Sequence, residues 1–166
     1  MLDRVTVPPG ATGSGTVLLT FDSTTSLLDF DVSFSGLSGV TTVSHIHCCT
    51  ASAGTGTAGV AVTPGTLPGF PVGVSSGTYV FNNLDLLNTA SYTAGFLTGS
   101  GGTAALAMSR LLANMESGNA YFNIHSSTFP GGEIRGFLQR VPEPGTLALL
   151  GLGLVGLGVS CRKKAA

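Results

Sequence analysis

Short segments in which apolar and polar residues alternate constrain the fold of this chain more than any other feature. Between residues 28 and 34, Leu28, Phe30, Val32 and Phe34 lie on one side of an extended backbone, opposite aspartate and serine side chains. Turns rich in glycine or proline separate further segments of the same kind, at residues 15–21, 40–47, 59–62, 78–86, 119–125 and 133–140. Six or seven short strands of this kind predict an all-β fold with antiparallel pairing.

Residues 103–117 form the one stretch with good helical character. Thr103 stands where an N-cap is expected, and Gly118 follows where a helix would stop. The apolar residues of this stretch are Leu106, Leu111, Leu112 and Met115. We therefore predict an antiparallel β-sandwich, Greek-key or immunoglobulin-like in its connections, with one helical excursion.

Charged residues are scarce and unevenly placed. They make up 9% of the chain, and residues 1–140 contain four arginines and no lysine against seven acidic residues. A domain without a cationic patch has no surface for phosphates, so we expect no nucleic-acid partner. The lack of lysine also excludes Schiff-base chemistry within this domain.

The C-terminal 26 residues differ from the rest of the chain in their charge and apolar character. A Pro-Glu-Pro stretch, Pro142, Glu143 and Pro144, precedes an uncharged apolar run from residue 146 to 161, and three basic residues follow it at 162–164. Sixteen helical residues span about 24 Å, slightly short of a bilayer core of about 30 Å. We predict a C-terminal transmembrane helix whose basic end is cytoplasmic, which places a domain of residues 5–140 outside and leaves residues 141–166 as the tail.

This tripartite tail resembles the PEP-CTERM sorting signal of Gram-negative bacteria. The resemblance implies that an exosortase-type protease recognises Pro142, Glu143 and Pro144, and that the tail anchors the chain transiently in the inner membrane. It also implies a periplasmic domain that is delivered to the outer envelope or an extracellular exopolysaccharide (biofilm) matrix. The first residues lack a basic region and an apolar core typical of a secretory signal peptide, so we expect further residues upstream.

All three histidines fall at predicted strand ends. His45 and His47 are two residues apart, so their side chains project to one face of a strand, and His125 ends another strand. If the sheets bring the three imidazoles together, they could bind Zn²⁺ or Cu²⁺ with one position open. The alternative is a hydrogen-bonded network that only locks the strand ends, in which Glu133 and Arg135 take part.

Three other patterns could carry chemistry. Cys48 and Cys49 are adjacent, which favours two small, partly buried thiols over a strained disulfide. Residues 73–77 match G-x-S-x-G around Ser75, but a proline-rich loop precedes them and a strand follows, so we interpret them as a turn. Asp29 and Asp31 share a strand face, which is more typical of a solvated surface than of a catalytic carboxylate pair.

Four blocks together resemble the CHRD domain, which is named for chordin. They are GLSG at residues 36–39, SHIH at 44–47, AYFNIHS at 120–126 and PGGEIRG at 130–136, and the last contains Glu133 and Arg135 as a structural motif. The resemblance spans about residues 5–140 and implies an extracellular β-domain of poorly defined biochemical role. It also implies a sandwich similar to that of copper–zinc superoxide dismutase, although the further metal ligands of that enzyme are missing and dismutase activity is not expected.

Two functional hypotheses follow from these observations. In the first, the chain is a non-enzymatic envelope or matrix module with a structural or binding role, displayed or released after its tail is processed. In the second, it is an exported metal-binding module that uses His45, His47 and His125. An enzyme that uses the cysteine pair or Ser75 is a remote third, so we expect no catalytic activity.

Overall fold

The computed structural model describes residues 9–141, which form two antiparallel β-sheets. The first sheet has the order β1-β2-β5, with β1 at Ser14–Asp22, β2 at Leu27–Ser35 and β5 at Gly77–Asp85. The second has the order β4-β3-β6-β7, with β3 at Thr41–Cys48, β4 at Val60–Val62, β6 at Ala120–Ser126 and β7 at Ile134–Phe137. The predicted all-β architecture is confirmed, with β7 four residues shorter than expected.

A single hydrophobic core lies between the two sheets. The apolar face predicted for β2 is buried, with Phe30 and Val32 at 1% and 0% exposure, and it packs in one cluster with Ile46 of β3 and Phe122 of β6. Because strand side chains alternate between faces, the other face of each sheet points away from this core, and on the first sheet it includes exposed Leu18 and Val80. On β2 that outer face carries Asp29 and Asp31, as the sequence indicated.

Two α-helices and a short 3-10 helix, Thr89–Ser91, connect β5 to β6, where the sequence predicted one helix. The predicted helix is α2, Ala104–Glu116, and the Thr103 hydroxyl caps it by accepting the Leu106 amide at 3.3 Å. The shorter α1, Ala94–Gly99, was not predicted, because six residues hold too little apolar periodicity to be recognised. Leu106 was expected on the apolar face and is instead 51% exposed, since the buried stripe runs through Leu111 and Met115.

Within residues 9–141, no helix has the length and apolar character needed to cross a bilayer. The transmembrane helix predicted for the tail, and the sorting residues Pro142, Glu143 and Pro144, lie outside the described residues.

The two faces of β3 have different surroundings, and this difference positions the histidines. Ile46 and Cys48 point into the core, whereas His45 and His47 point to the opposite face. An outward-facing residue of a sheet is ordinarily solvated, yet His45 and His47 are only 7% and 8% exposed. The loops that follow β3, β4 and β6 cover them and form a partly enclosed polar site on the outer face of the second sheet.

Candidate metal centre

Strand register brings the three histidines together. In the antiparallel pairing of β3 with β6, His45 lies opposite Asn123 and His47 lies opposite Tyr121. His125 follows Asn123 by two residues on the same face of β6, which places it diagonally across from His45. One ring nitrogen from each of His45, His47 and His125 lies within 4.8 Å of the other two.

Each imidazole is oriented by a backbone carbonyl from a covering loop. Nδ1 of His47 lies 2.9 Å from the oxygen of Ala58, and Nδ1 of His125 lies 2.7 Å from that of Pro130. Nε2 of His45 contacts the oxygen of Gly65 in the same way. A carbonyl oxygen only accepts hydrogen bonds, so the ring nitrogen facing it must carry the proton.

The second nitrogen of each neutral ring therefore presents a lone pair, and these nitrogens converge. They are Nδ1 of His45, Nε2 of His47 and Nε2 of His125, and the first and last are 3.4 Å apart. Two nitrogens on one tetrahedral zinc, each at about 2.05 Å, stand roughly 3.3 Å apart. The observed separation thus fits two ligands of a single ion.

Burial keeps the site in its metal-competent protonation state. The pKa of His47 is lowered to about 4, chiefly by desolvation; the neighbouring imidazoles and Arg135 also lower it, and the hydrogen bond to Ala58 opposes them. The pKa of His45 is also lowered, first by burial. Both rings are therefore neutral at neutral pH, which is the form that binds metal. Nε2 of His47 is buried and has no hydrogen-bond partner among the described residues.

Aromatic and cationic side chains extend the cluster on the side of β7. The ring of Tyr121 stacks on His47 at 4.8 Å between centroids with an interplanar angle of 5°. The Arg135 guanidinium lies 4.8 Å from the centre of the Tyr121 ring. The Tyr121 hydroxyl accepts the Ala58 amide at 3.2 Å and donates to the Ala58 carbonyl at 3.3 Å. It thereby supports the loop that orients His47.

Glu133 contributes to the loop framework beside this site. Its side chain is fully buried, and Oε1 accepts the backbone amide of Ser38, 95 residues away. Burial raises the pKa of this carboxyl, but donors on Ser126, Ser38 and Gly39 outweigh it and lower the pKa overall. Oε2 has no hydrogen bond of normal geometry among the described residues. The Glu133 carboxylate thus joins the β6–β7 turn to the loop before β3 through its hydrogen bond with the Ser38 amide.

Within the described part of the chain, none of the other candidates from the sequence joins the histidine cluster. Ser75 is exposed in the turn before β5, and its backbone oxygen accepts the Leu37 amide, in agreement with a turn. Asp29 accepts the Asn83 amide at 2.7 Å on the outer face of the first sheet. The expectation of two free thiols is wrong. Cys48 and Cys49 form a disulfide, and the peptide bond between them is cis.

Sequence reasoning found the three histidines but missed the groups that orient them. The orienting groups are backbone carbonyls of Ala58, Gly65 and Pro130, which lie in three separate loops. Every residue has a carbonyl, so no side-chain pattern could have indicated which ones face the rings. Asn123, which lies within the AYFNIHS block, donates from Nδ2 to Nε2 of the His125 ring at 3.1 Å.

Comparison with known proteins identifies both parts of the chain. A family model for the CHRD domain matches residues 2–138, and a model for the PEP-CTERM protein-sorting motif matches residues 140–164. No curated protein and no solved structure matches the chain significantly. The sorting motif marks an exported protein that is anchored transiently in a membrane and processed by an exosortase-type enzyme. The chain belongs to the CHRD domain family and carries a PEP-CTERM sorting signal at its C-terminal end.

Proposed function

We propose that this protein is a non-enzymatic exported module of the cell envelope or extracellular matrix whose β-domain binds one zinc or copper ion. The ligands are Nδ1 of His45, Nε2 of His47 and Nε2 of His125. One observation carries the proposal. Each imidazole donates one N–H to a backbone carbonyl, which leaves an unprotonated nitrogen on each ring, and one ring nitrogen of each histidine lies within 4.8 Å of the other two.

The donor set favours zinc or copper over other divalent ions. Imidazole nitrogen is a borderline donor that suits these metals, whereas magnesium and calcium require oxygen ligands. The sulfur atoms of Cys48 and Cys49 do not compete for the ion, because they are bonded to each other in a disulfide and Cys48 faces the core. Three protein ligands leave one coordination position for a further donor.

A binding or structural role is favoured over catalysis by where the reactive side chains lie. Ser75 is in an exposed turn, and Asp29 is occupied with a backbone amide of β5. Glu133, in the β6–β7 turn, accepts the Ser38 amide. We propose that the mature domain reaches the outer envelope or the extracellular matrix, where exopolysaccharide and other envelope components are its partners.

The test is metal content of the purified chain after exposure to zinc or copper and dialysis. We expect close to one ion per chain, and a loss of at least tenfold in affinity for His47→Gln. The matched control is Asp31→Asn, which removes an exposed acid on the other sheet and should leave binding unchanged. Because the chain contains only three histidines, imidazole nitrogen signals in pulsed EPR spectra of the copper-loaded chain can come only from His45, His47 or His125.

Absence of bound metal in the wild-type chain, with both ions tested, would sink the metal-binding proposal. Equal binding by wild type and His47→Gln would show adventitious surface binding instead. In either case the histidines would be residues that lock strand ends to loops, and the domain would be a structural module without an ion.

A further inference from the structure

Asn123 lies at the centre of the histidine cluster. It is the register partner of His45 and shares a strand face with His125, and its side chain is 3% exposed. Its Nδ2 is 3.1 Å from Nε2 of His125, the atom assigned above as a metal ligand. This amide therefore donates to the lone pair on Nε2 of His125.

The amide cannot easily withdraw from this position. The backbone of Gly132, in the β6–β7 turn, packs against its other side. A Cβ atom built on Gly132 would lie 2.5 Å from both Nδ2 and Oδ1 of Asn123, and the φ of Gly132 is +118°. Only glycine fits there. The Asn123 amide is thus held between the Gly132 backbone and the ring of His125.

An ion bound to Nε2 of His125 takes the lone pair to which Nδ2 donates. The N–H groups of Asn123 would then direct their positive ends at a cation, which is unfavourable in a buried site. A half-turn about χ2 exchanges nitrogen for oxygen without changing the shape of the side chain, because this torsion is broadly two-fold. The rotated Oδ1 would stand at the 3.1 Å distance from Nε2 that Nδ2 occupies, near the roughly 3.3 Å between ligands of a tetrahedral ion.

We propose that Asn123 reverses its amide when the ion binds and supplies Oδ1 as the fourth donor. This inference rests on the proposed metal-binding function. It predicts that the site is completed by the protein itself, through three imidazole nitrogens and one amide oxygen, and that the amide changes from a donor to His125 into a ligand of the ion.

The experiment compares zinc affinity by titration calorimetry for wild type, Asn123→Leu and Asn123→Asp. Leucine keeps the approximate shape without an oxygen, and we expect it to weaken zinc binding about tenfold to a hundredfold. Aspartate offers oxygen in either rotamer, and we expect it to bind at least as tightly as wild type. In ¹⁵N-edited NMR, the side-chain NH₂ resonances of Asn123 should shift on zinc addition, because their bond to His125 is lost.

Zinc binding by Asn123→Leu that equals or exceeds that of wild type would overturn the inference, because the amide would then only occupy the lone pair of His125. If the leucine variant does not fold, Asn123→Ala removes the amide without adding atoms and gives the same comparison. Failure of the wild type to bind zinc would instead contradict the metal-binding function itself. The two failures are therefore distinguishable.

Discussion

Nδ1 of His45 lies 3.4 Å from Nε2 of His125, although 80 residues separate them along the chain. In the neutral rings both atoms are acceptors, because the protons are held on the nitrogens that face Gly65 and Pro130. Two lone pairs at this distance repel each other unless a positive charge lies between them. The Asn123 amide, which donates to Nε2 of His125 at 3.1 Å, reduces this repulsion, and a cation bound between the two nitrogens, as proposed above, would remove it.

Zinc should stabilise the domain against heat. A ligand that binds only the folded state at about 100 times its Kd adds roughly 2.7 kcal/mol, which corresponds to a rise in Tm of roughly 5–10 °C for a domain of this size. Differential scanning calorimetry with and without zinc measures the shift, and a chelator should reverse it. His47→Gln should show little of this shift, whereas an equal shift in that variant would place the ion elsewhere.

The metal-free domain should lose stability between about pH 6.5 and pH 4. The folded pKa of His47 is about 4, below the unfolded value of 6.5, so the unfolded chain binds a proton first as the pH falls. The lowered pKa of His45 acts in the same direction. Urea unfolding in the presence of a chelator should show a loss of the order of 2 kcal/mol across this range. His47→Gln should flatten the profile, and an unchanged profile would contradict the assignment.

Tyr121→Phe should weaken zinc binding without unfolding the domain. The change keeps the ring stacked on His47 but removes the hydroxyl that holds Ala58, whose carbonyl orients that imidazole. We expect about a tenfold loss of affinity in calorimetric titrations. The matched control is Tyr92→Phe, which also removes a buried hydroxyl bond, to the Leu86 carbonyl at 2.9 Å, but lies away from the histidines. Equal zinc affinities in the two variants would rule out a role for Tyr121 in orienting His47.

Glu133→Gln should destabilise the fold by roughly 1–3 kcal/mol, because an amide replaces a buried carboxylate that several donors face. The lowered pKa of Glu133 means that its contribution is present above the unfolded pKa and is lost as the pH falls through the folded value. Urea unfolding at pH 7 measures the change. Glu116→Gln, an exposed acid on α2, is the control and should be near neutral. A similarly small change in the free energy of unfolding in both variants would show that the Glu133 carboxylate does not stabilise the fold.

Much of the fold could be predicted because its signals are local. The alternation in residues 28–34 reports which side of β2 is buried, and Thr103 marks the start of α2 through a bond within one helical turn. The prediction failed for α1, whose few residues have no clear period, and for Leu106, whose exposure depends on what packs on α2. An element could thus be recognised from the sequence only where its periodic pattern extended over enough residues.

By itself, the sequence determined the β-rich architecture, the division into domain and sorting tail, and the face shared by His45 and His47. Each of these depends on residues near one another along the chain. Tertiary structure alone decided that His125 joins them, that three loop carbonyls fix their protonation, and that Asn123 lies among them. Those relations arise from strand register and from backbone atoms of distant loops. Backbone atoms are the same in every residue, so they leave no trace in the sequence.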